Sequence, residues 1–85
     1  MINYKNDILN KICYTVLVYD RINKKLKLTL SKPQIEKLVY TILSETDESQ
    51  FLKKGKNIYV TNDHKNIRLT INSFTHRIIT VDDLS

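Results

Sequence analysis

The chain has 85 residues, a mass of 10.0 kDa and a formal net charge of +5, a size that fits one domain, residues 1–85. Its apolar fraction of 41% and charged fraction of 27% are ordinary for a globular protein, which argues against disorder. A single cysteine excludes a disulfide framework and cannot alone assemble a zinc site, so we expect no metal and no other cofactor. No apolar run approaches the roughly 20 residues of a membrane span, so we expect no membrane partner.

Two helices are predicted in the first half of the chain. Residues 4–26 read as one long helix, because apolar residues recur there at three- and four-residue steps. The second helix begins with Ser31 as N-cap and Gln34 in the capping-box position, and it ends near Ser44. Residues 47–53 predict a short helical turn that Gly55 stops.

After Gly55 the spacing of apolar residues changes from about 3.6 to 2, which is typical of strands. Three runs, near residues 57–61, 67–72 and 76–82, are separated by segments rich in turn-forming residues. We therefore predict an α+β fold, with two N-terminal helices packed on one face of a three-stranded antiparallel meander (α-α-β-β-β). A sheet of this size has an unpaired edge at 57–61 or 76–82, and a homodimer through that edge is one prediction.

The alternation of side chains also predicts two faces of the sheet. The residues expected to point toward the helices are Ile58, Val60, Ile67, Leu69, Ile71, Ile79 and Val81. Those expected on the open face are Tyr59, Thr61, Arg68, Thr70, Asn72, His76 and Thr80. An Arg, a His, a Tyr and several hydroxyls can bind phosphate, although the solvated side of any half-buried sheet is also rich in Thr and Arg.

The positive charge favours a polyanionic partner such as RNA, since each neutralised phosphate releases a counterion. Lysines cluster around two connections, and the exposed charges of a soluble domain would look the same. The residues predicted to bind nucleic acid are Tyr59, Arg68, Thr70, Asn72, Thr80, Lys24, Lys25, Lys54 and Lys56. If RNA is also cleaved, Arg68 would stabilise the phosphate charge and His76 would transfer a proton.

Three stretches, Lys54–Asn62, Asn66–Ser73 and Arg77–Asp82, carry a resemblance to a known family, as do Arg21–Leu26 and Glu45–Asp47. The chain resembles a family of short proteins of low-GC Gram-positive bacteria and their mobile elements, catalogued as a domain of unknown function. The resemblance implies a bacterial or phage origin and a cytoplasmic setting, and it implies no activity. A looser likeness, in element order and in Ile79-Thr80-Val81, is to the RelE, barnase and colicin-type ribonuclease group.

Two functions remain open from the sequence. The first is an RNA-binding module, in its sharper form a toxin-like endoribonuclease that uses the open sheet face. The second is a non-enzymatic phage or mobile-element protein that binds and modulates a host or defence protein. Whether the protein is an enzyme is left undecided by these residues, because the open face lacks a second proton-transferring histidine or glutamate.

Overall fold

A computed structural model describes residues 3–85, in which three α-helices precede a four-stranded sheet. The helices are α1 (Tyr4–Lys11), α2 (Val16–Leu26) and α3 (Lys32–Glu45), and a 3₁₀ turn follows at Glu48–Gln50. The strands are β1 (Phe51–Lys54), β2 (Asn57–Asn62), β3 (Ile67–Asn72) and β4 (Ile78–Asp83). All neighbours are antiparallel, in the order β1-β2-β3-β4. The α+β class is confirmed, but the prediction of two helices and three strands is wrong.

The predicted long helix is divided because the chain between α1 and α2 pairs with the segment that leads into β4. The backbone N–H of Cys13 donates to the carbonyl of His76 (2.9 Å), and the N–H of Ile78 donates to the carbonyl of Cys13 (3.1 Å). The Cys13 thiol also donates to the carbonyl of Thr75 (3.2 Å). The break, residues 12–15, contains the β-branched Ile12 and Thr15 and the aromatic Tyr14, which form helix less readily, so these sheet-like bonds prevail there over the helical period.

The segment predicted as a helical turn at 47–53 contains the 3₁₀ turn and the first strand. Asp47 caps the turn by accepting from the N–H of Ser49 (3.0 Å), and the chain then extends so that Phe51 lies opposite Val60. Gly55 does not stop a helix. It is the first residue of the two-residue β1–β2 turn and has a φ of 60°, the sign that a type II′ hairpin requires there.

One apolar core fills the space between the helices and the inner face of the sheet. Its buried members are Ile8, Val18, Ile22, Ile35, Val39, Ile42, Leu43, Phe51, Ile58, Val60, Leu69, Ile71, Ile78 and Val81. On β4 the expected inward residue, Ile79, is only half-buried, and Ile78 takes its place opposite Ile71. The register shifts between Thr70 and Ile71, so a β-bulge at Ile79 reverses the alternation that the sequence predicted.

The two sheet edges differ in how they are covered. Strand β2 lies inside the sheet, so the predicted edge at 57–61 is wrong, whereas the strand predicted at 76–82, β4, is one of the two edge strands. The other edge is β1. Lys53 and Lys54 occupy half of that short strand, which discourages pairing with a second chain. On the other side α2 runs along β4, where the Arg21 guanidinium donates to the carbonyl of Ile79 (3.1 Å). Within residues 3–85 no helix combines the length and the apolar character needed to cross a membrane.

The capping box that begins α3 is confirmed. The N–H of Gln34 donates to the Ser31 hydroxyl (3.4 Å), and the Gln34 side chain accepts from the N–H of Ser31 (2.8 Å). We expect Ser31→Ala to lower the free energy of unfolding by about 1 kcal/mol, because an N-terminal donor of α3 loses its acceptor. Urea unfolding followed by circular dichroism measures the change. Thr29→Ala, at an exposed position before the helix, is the control, and an equal loss in both variants would contradict the capping role.

Candidate nucleic-acid interface

The strand register determines which of the predicted open-face residues are neighbours. Tyr59, Thr70 and Thr80 lie in one cross-strand row, on three adjacent strands. Thr70 is only 6% exposed, however, so its hydroxyl is not available to a phosphate. Tyr59 and Thr80 are half-buried. This row is therefore packed more tightly than the sequence suggested, and it offers little surface to a large ligand.

Arg68 lies in the next row, near the end of the sheet where the β2–β3 turn is found. Its Nε donates to the Thr61 hydroxyl (3.4 Å), and its cross-strand neighbour on β4 is Asp82. Asp82 in turn binds the ammonium group of Lys25 (3.4 Å). A carboxylate thus stands beside Arg68 and weakens the positive potential at that position.

His76 does not lie on the open face with Arg68, which corrects the predicted pairing. It precedes β4, has a φ of 60°, and places Nε2 3.0 Å from Oδ2 of Asp7 in α1. Its side chain is 14% exposed. Arg68 is four residues from Asn72 along β3, a rise of about 13 Å, and His76 lies at that far end, where its N–H donates to the Asn72 carbonyl. The structure does not bring them into one catalytic site.

The predicted lysine cluster around the α2–α3 connection lies among acidic groups. Lys25 is paired with Asp82, and Lys24 shares an exposed face of α2 with Asp20. Lys27 forms the left-handed C-cap of α2 and lies near Asp83. These neighbours make the region a mixture of both signs rather than a continuous basic surface.

Two of the tyrosines near this connection pack against each other instead of facing solvent. The rings of Tyr14 and Tyr19 stack with centroids 5.5 Å apart, and the Tyr19 hydroxyl donates to Glu36 (2.8 Å). Burial, followed by the charge of Glu36, raises the pKa of Tyr14. Burial and the hydrogen bond to Glu36 likewise raise the pKa of Tyr19. The stack occupies one face of each ring, and the Lys32 ammonium lies 5.4 Å from the centroid of the Tyr19 ring.

The strongest concentration of positive charge is at the opposite end of the sheet, where the β1–β2 turn meets the β3–β4 connection. We call this the hairpin-end surface and define it as Lys53, Lys54, Lys56, Phe74 and Arg77, all of which are exposed. The Lys53 ammonium lies 5.9 Å from the centroid of the Phe74 ring. The sequence indicated the three lysines, but not Phe74 or Arg77, because nothing in the sequence shows that residues 73–77 lie against the hairpin turn.

Backbone hydrogen bonds join the two turns of this surface. The N–H and the hydroxyl of Ser73 both donate to the carbonyl of Lys56 (2.8 Å each). The Asn72 side chain accepts from the N–H groups of Phe74 (2.8 Å) and Thr75 (3.0 Å). Asn72 was predicted to bind nucleic acid, and its side chain is instead used to hold this loop.

Acidic residues are absent from β1, β2 and β3, and the two on β4, Asp82 and Asp83, lie at the end of the sheet away from the surface. Between residues 51 and 81 the sequence contains one acidic residue, Asp63, which lies in the β2–β3 turn at the far end. The carboxylate that approaches from the helices is Asp7, and it binds both His76 (3.0 Å) and Lys11 (3.2 Å). Its charge is therefore already balanced, and the positive field of the hairpin-end surface stays uncompensated.

Comparison with known proteins places the chain in a family. A family model described as Protein of unknown function (DUF3781) matches residues 6–82, nearly the whole chain. The chain belongs to this family. The match confirms the resemblance to a domain of unknown function and assigns the family no activity. No curated protein and no solved structure matches the chain.

Asp7 gives the protein a specific dependence on pH. Hydrogen bonds from His76 and Lys11 hold the pKa of Asp7 below its usual value of 3.8. A lowered pKa means that the ionised form stabilises the fold above the unfolded-state pKa, and that this contribution disappears as the pH falls through the folded-state pKa. We expect Asp7→Asn to reduce the loss of stability between about pH 5 and pH 3.

Thermal unfolding at several pH values measures this effect. Asp63→Asn, in the exposed β2–β3 turn, is the control and should keep the pH dependence of the natural protein. If Asp7→Asn leaves the acid-induced loss of stability unchanged, the contacts of the Asp7 carboxylate with His76 and Lys11 do not stabilise the fold.

Proposed function

We propose that this protein binds RNA through the hairpin-end surface. The observation that carries the proposal is the local balance of charge: Lys53, Lys54, Lys56 and Arg77 share one end of the sheet. The acidic residues of the sheet and its turns, Asp63, Asp82 and Asp83, all lie at the other end. Binding of phosphates to such a surface releases condensed counterions, which is the main source of affinity in sequence-independent recognition. Of the predicted nucleic-acid residues, Lys54 and Lys56 belong to this surface, whereas Lys24 and Lys25 lie in the mixed region around α2.

Binding is supported better than cleavage. A ribonuclease needs a proton-transferring group and a cation at one phosphate, within hydrogen-bond reach of the reacting atoms. Arg68 and His76 lie near opposite ends of β3, which are about 13 Å apart, and His76 already binds Asp7. The likeness to the RelE, barnase and colicin-type ribonucleases therefore stays a prediction from element order, and we do not propose an enzymatic reaction.

The alternative function, binding to a host or defence protein, has one observation in its favour. Val16 and Leu17 begin α2 and are 75% and 74% exposed, which is unusual for adjacent large aliphatic side chains. Arg21 and Lys24 continue the same exposed side of the helix. In this second proposal the protein is a non-enzymatic protein of a phage or mobile element. In either case we place it in the bacterial cytoplasm, as the family resemblance implies.

Replacing the lysines of the hairpin turn tests the RNA proposal. We expect Lys54→Gln with Lys56→Gln to weaken binding of a fluorescent RNA roughly tenfold at low salt, because two phosphate contacts are lost. The slope of log affinity against log salt concentration should fall by about 1.4, at about 0.7 per contact with a single strand. Fluorescence anisotropy between about 50 and 200 mM salt gives both quantities.

A charge-matched control separates a localised surface from a general effect of net charge. Lys24→Gln with Lys37→Gln removes the same charge from exposed positions on α2 and α3. This variant should bind RNA nearly as the natural protein does. Equal weakening by both double variants, or no salt-dependent binding by the natural protein, would refute the proposed site.

A further inference from the structure

Phe74 is an apolar ring that the fold holds in solvent. Its side chain is 72% exposed, and among the large hydrophobic side chains of residues 3–85 only Val16 (75%) and Leu17 (74%) are more exposed. A single exposed apolar residue is common and needs no explanation by itself. Its setting is less common, because the Lys53 ammonium lies 5.9 Å from the Phe74 ring centroid and the ring stands on a short, heavily hydrogen-bonded loop at the lysine-rich end of the sheet.

The loop leaves Phe74 little freedom to fold back onto the core. Two backbone hydrogen bonds of Asn72 close the loop. The Asn72 N–H donates to the carbonyl of Arg77 (2.9 Å), and the Asn72 carbonyl accepts from the N–H of His76 (2.9 Å). The Asn72 side chain holds the N–H of Phe74 itself (2.8 Å). The hydroxyl of Ser73, the residue before Phe74, donates to the Lys56 carbonyl of the hairpin turn. The backbone that carries the ring is thus ordered before any ligand arrives, which lowers the entropic cost of using the ring in binding.

We infer that Phe74 stacks on an unpaired base, so that the preferred ligand of the hairpin-end surface is single-stranded RNA. This inference rests on the proposed function. Aromatic rings with lysines alongside bind single strands, because the ring covers a base while the cations follow the phosphates. In a duplex the faces of the bases are already stacked, and an RNA helix presents mainly its phosphates and 2′-hydroxyls to a protein. Lys53, 5.9 Å from the ring centroid, is placed to meet the phosphate of the stacked nucleotide.

A negatively charged membrane would also attract lysines beside an aromatic ring, but the surface fits it less well. Stable attachment of a protein to a membrane takes a sizeable buried apolar area or a second anchoring signal. The hairpin-end surface offers one ring. Leu52 on β1 is also exposed (59%), but strand alternation directs it to the face opposite Lys53, and Val16 and Leu17 belong to α2. The apolar contact is sized for one base rather than for a lipid layer.

The experiment compares two RNA probes and one lipid probe on the same set of variants. The probes are a labelled oligouridine of about 12 nucleotides, a blunt RNA duplex of the same length, and vesicles of phosphatidylserine and phosphatidylcholine. The variants are Phe74→Ala, the aromatic Phe74→Tyr, and Leu17→Ala, which removes an equally exposed apolar side chain from α2. Circular dichroism verifies that each variant is folded, as the exposure of both side chains leads us to expect.

The natural protein should bind the single strand more tightly than the duplex. Phe74→Ala should weaken single-strand binding about 5- to 100-fold, the range of one lost base-stacking contact, and leave duplex binding unchanged. Phe74→Tyr and Leu17→Ala should bind both probes as the natural protein does.

Each contrary result has a distinct meaning. Salt-dependent binding of both RNAs with equal affinity, unaffected by Phe74→Ala, would overturn the stacking inference and keep the proposed function. Failure to bind either RNA would overturn both. Binding of the vesicles that Phe74→Ala abolishes, without any effect of that variant on the single strand, would identify the surface as a membrane contact and overturn the inference.

Discussion

The carbonyl of Lys56 and the side chain of Asn72 form the constraint on which the proposed surface depends. Ser73 donates twice to that carbonyl, and Asn72 accepts from two successive N–H groups of the β3–β4 connection. Without these bonds the β1–β2 turn and the β3–β4 connection would be separate mobile loops, each with a few charges. With them, the two turns form one ordered surface, because the cost of ordering the loops has been met during folding rather than during binding.

The β3–β4 connection also determines the position of the amino-terminal helices. Residues that follow α1 pair with the backbone on either side of Arg77, so the chain cannot continue as one helix and instead begins α2 along β4. The β-bulge at Ile79 turns Ile78 toward the core, and Arg21 from α2 satisfies the carbonyl of the bulged residue. His76 and Asp7 add a side-chain hydrogen bond between this segment and α1. A short stretch before β4 therefore organises the amino-terminal helices and the hairpin-end surface together.

Much of the fold follows from local sequence signals, and what does not follow is governed by contacts between distant residues. The capping box at Ser31 and Gln34, and the alternation in β2, are local patterns that the structure confirms. The break after α1 and the strand β1 were missed, because each depends on a partner more than five residues away: Cys13 on Ile78, and Phe51 on Val60. The bulge at Ile79 could not be inferred from alternation alone. For the site, the lysines of the hairpin were visible in the sequence, whereas the distance of His76 from Arg68 and the approach of Phe74 to Lys53 required the register and the loop geometry.

The most direct test of the account is to map the bound RNA onto the protein by nuclear magnetic resonance. Titration of the isotopically labelled chain with a short oligouridine reports which backbone amides change their chemical shift. We predict that the largest chemical-shift changes fall on residues 53–57 and 73–77 together, since both turns belong to the hairpin-end surface. Changes confined to α2, to the row that contains Tyr59 and Thr80, or to no part of the chain would contradict it.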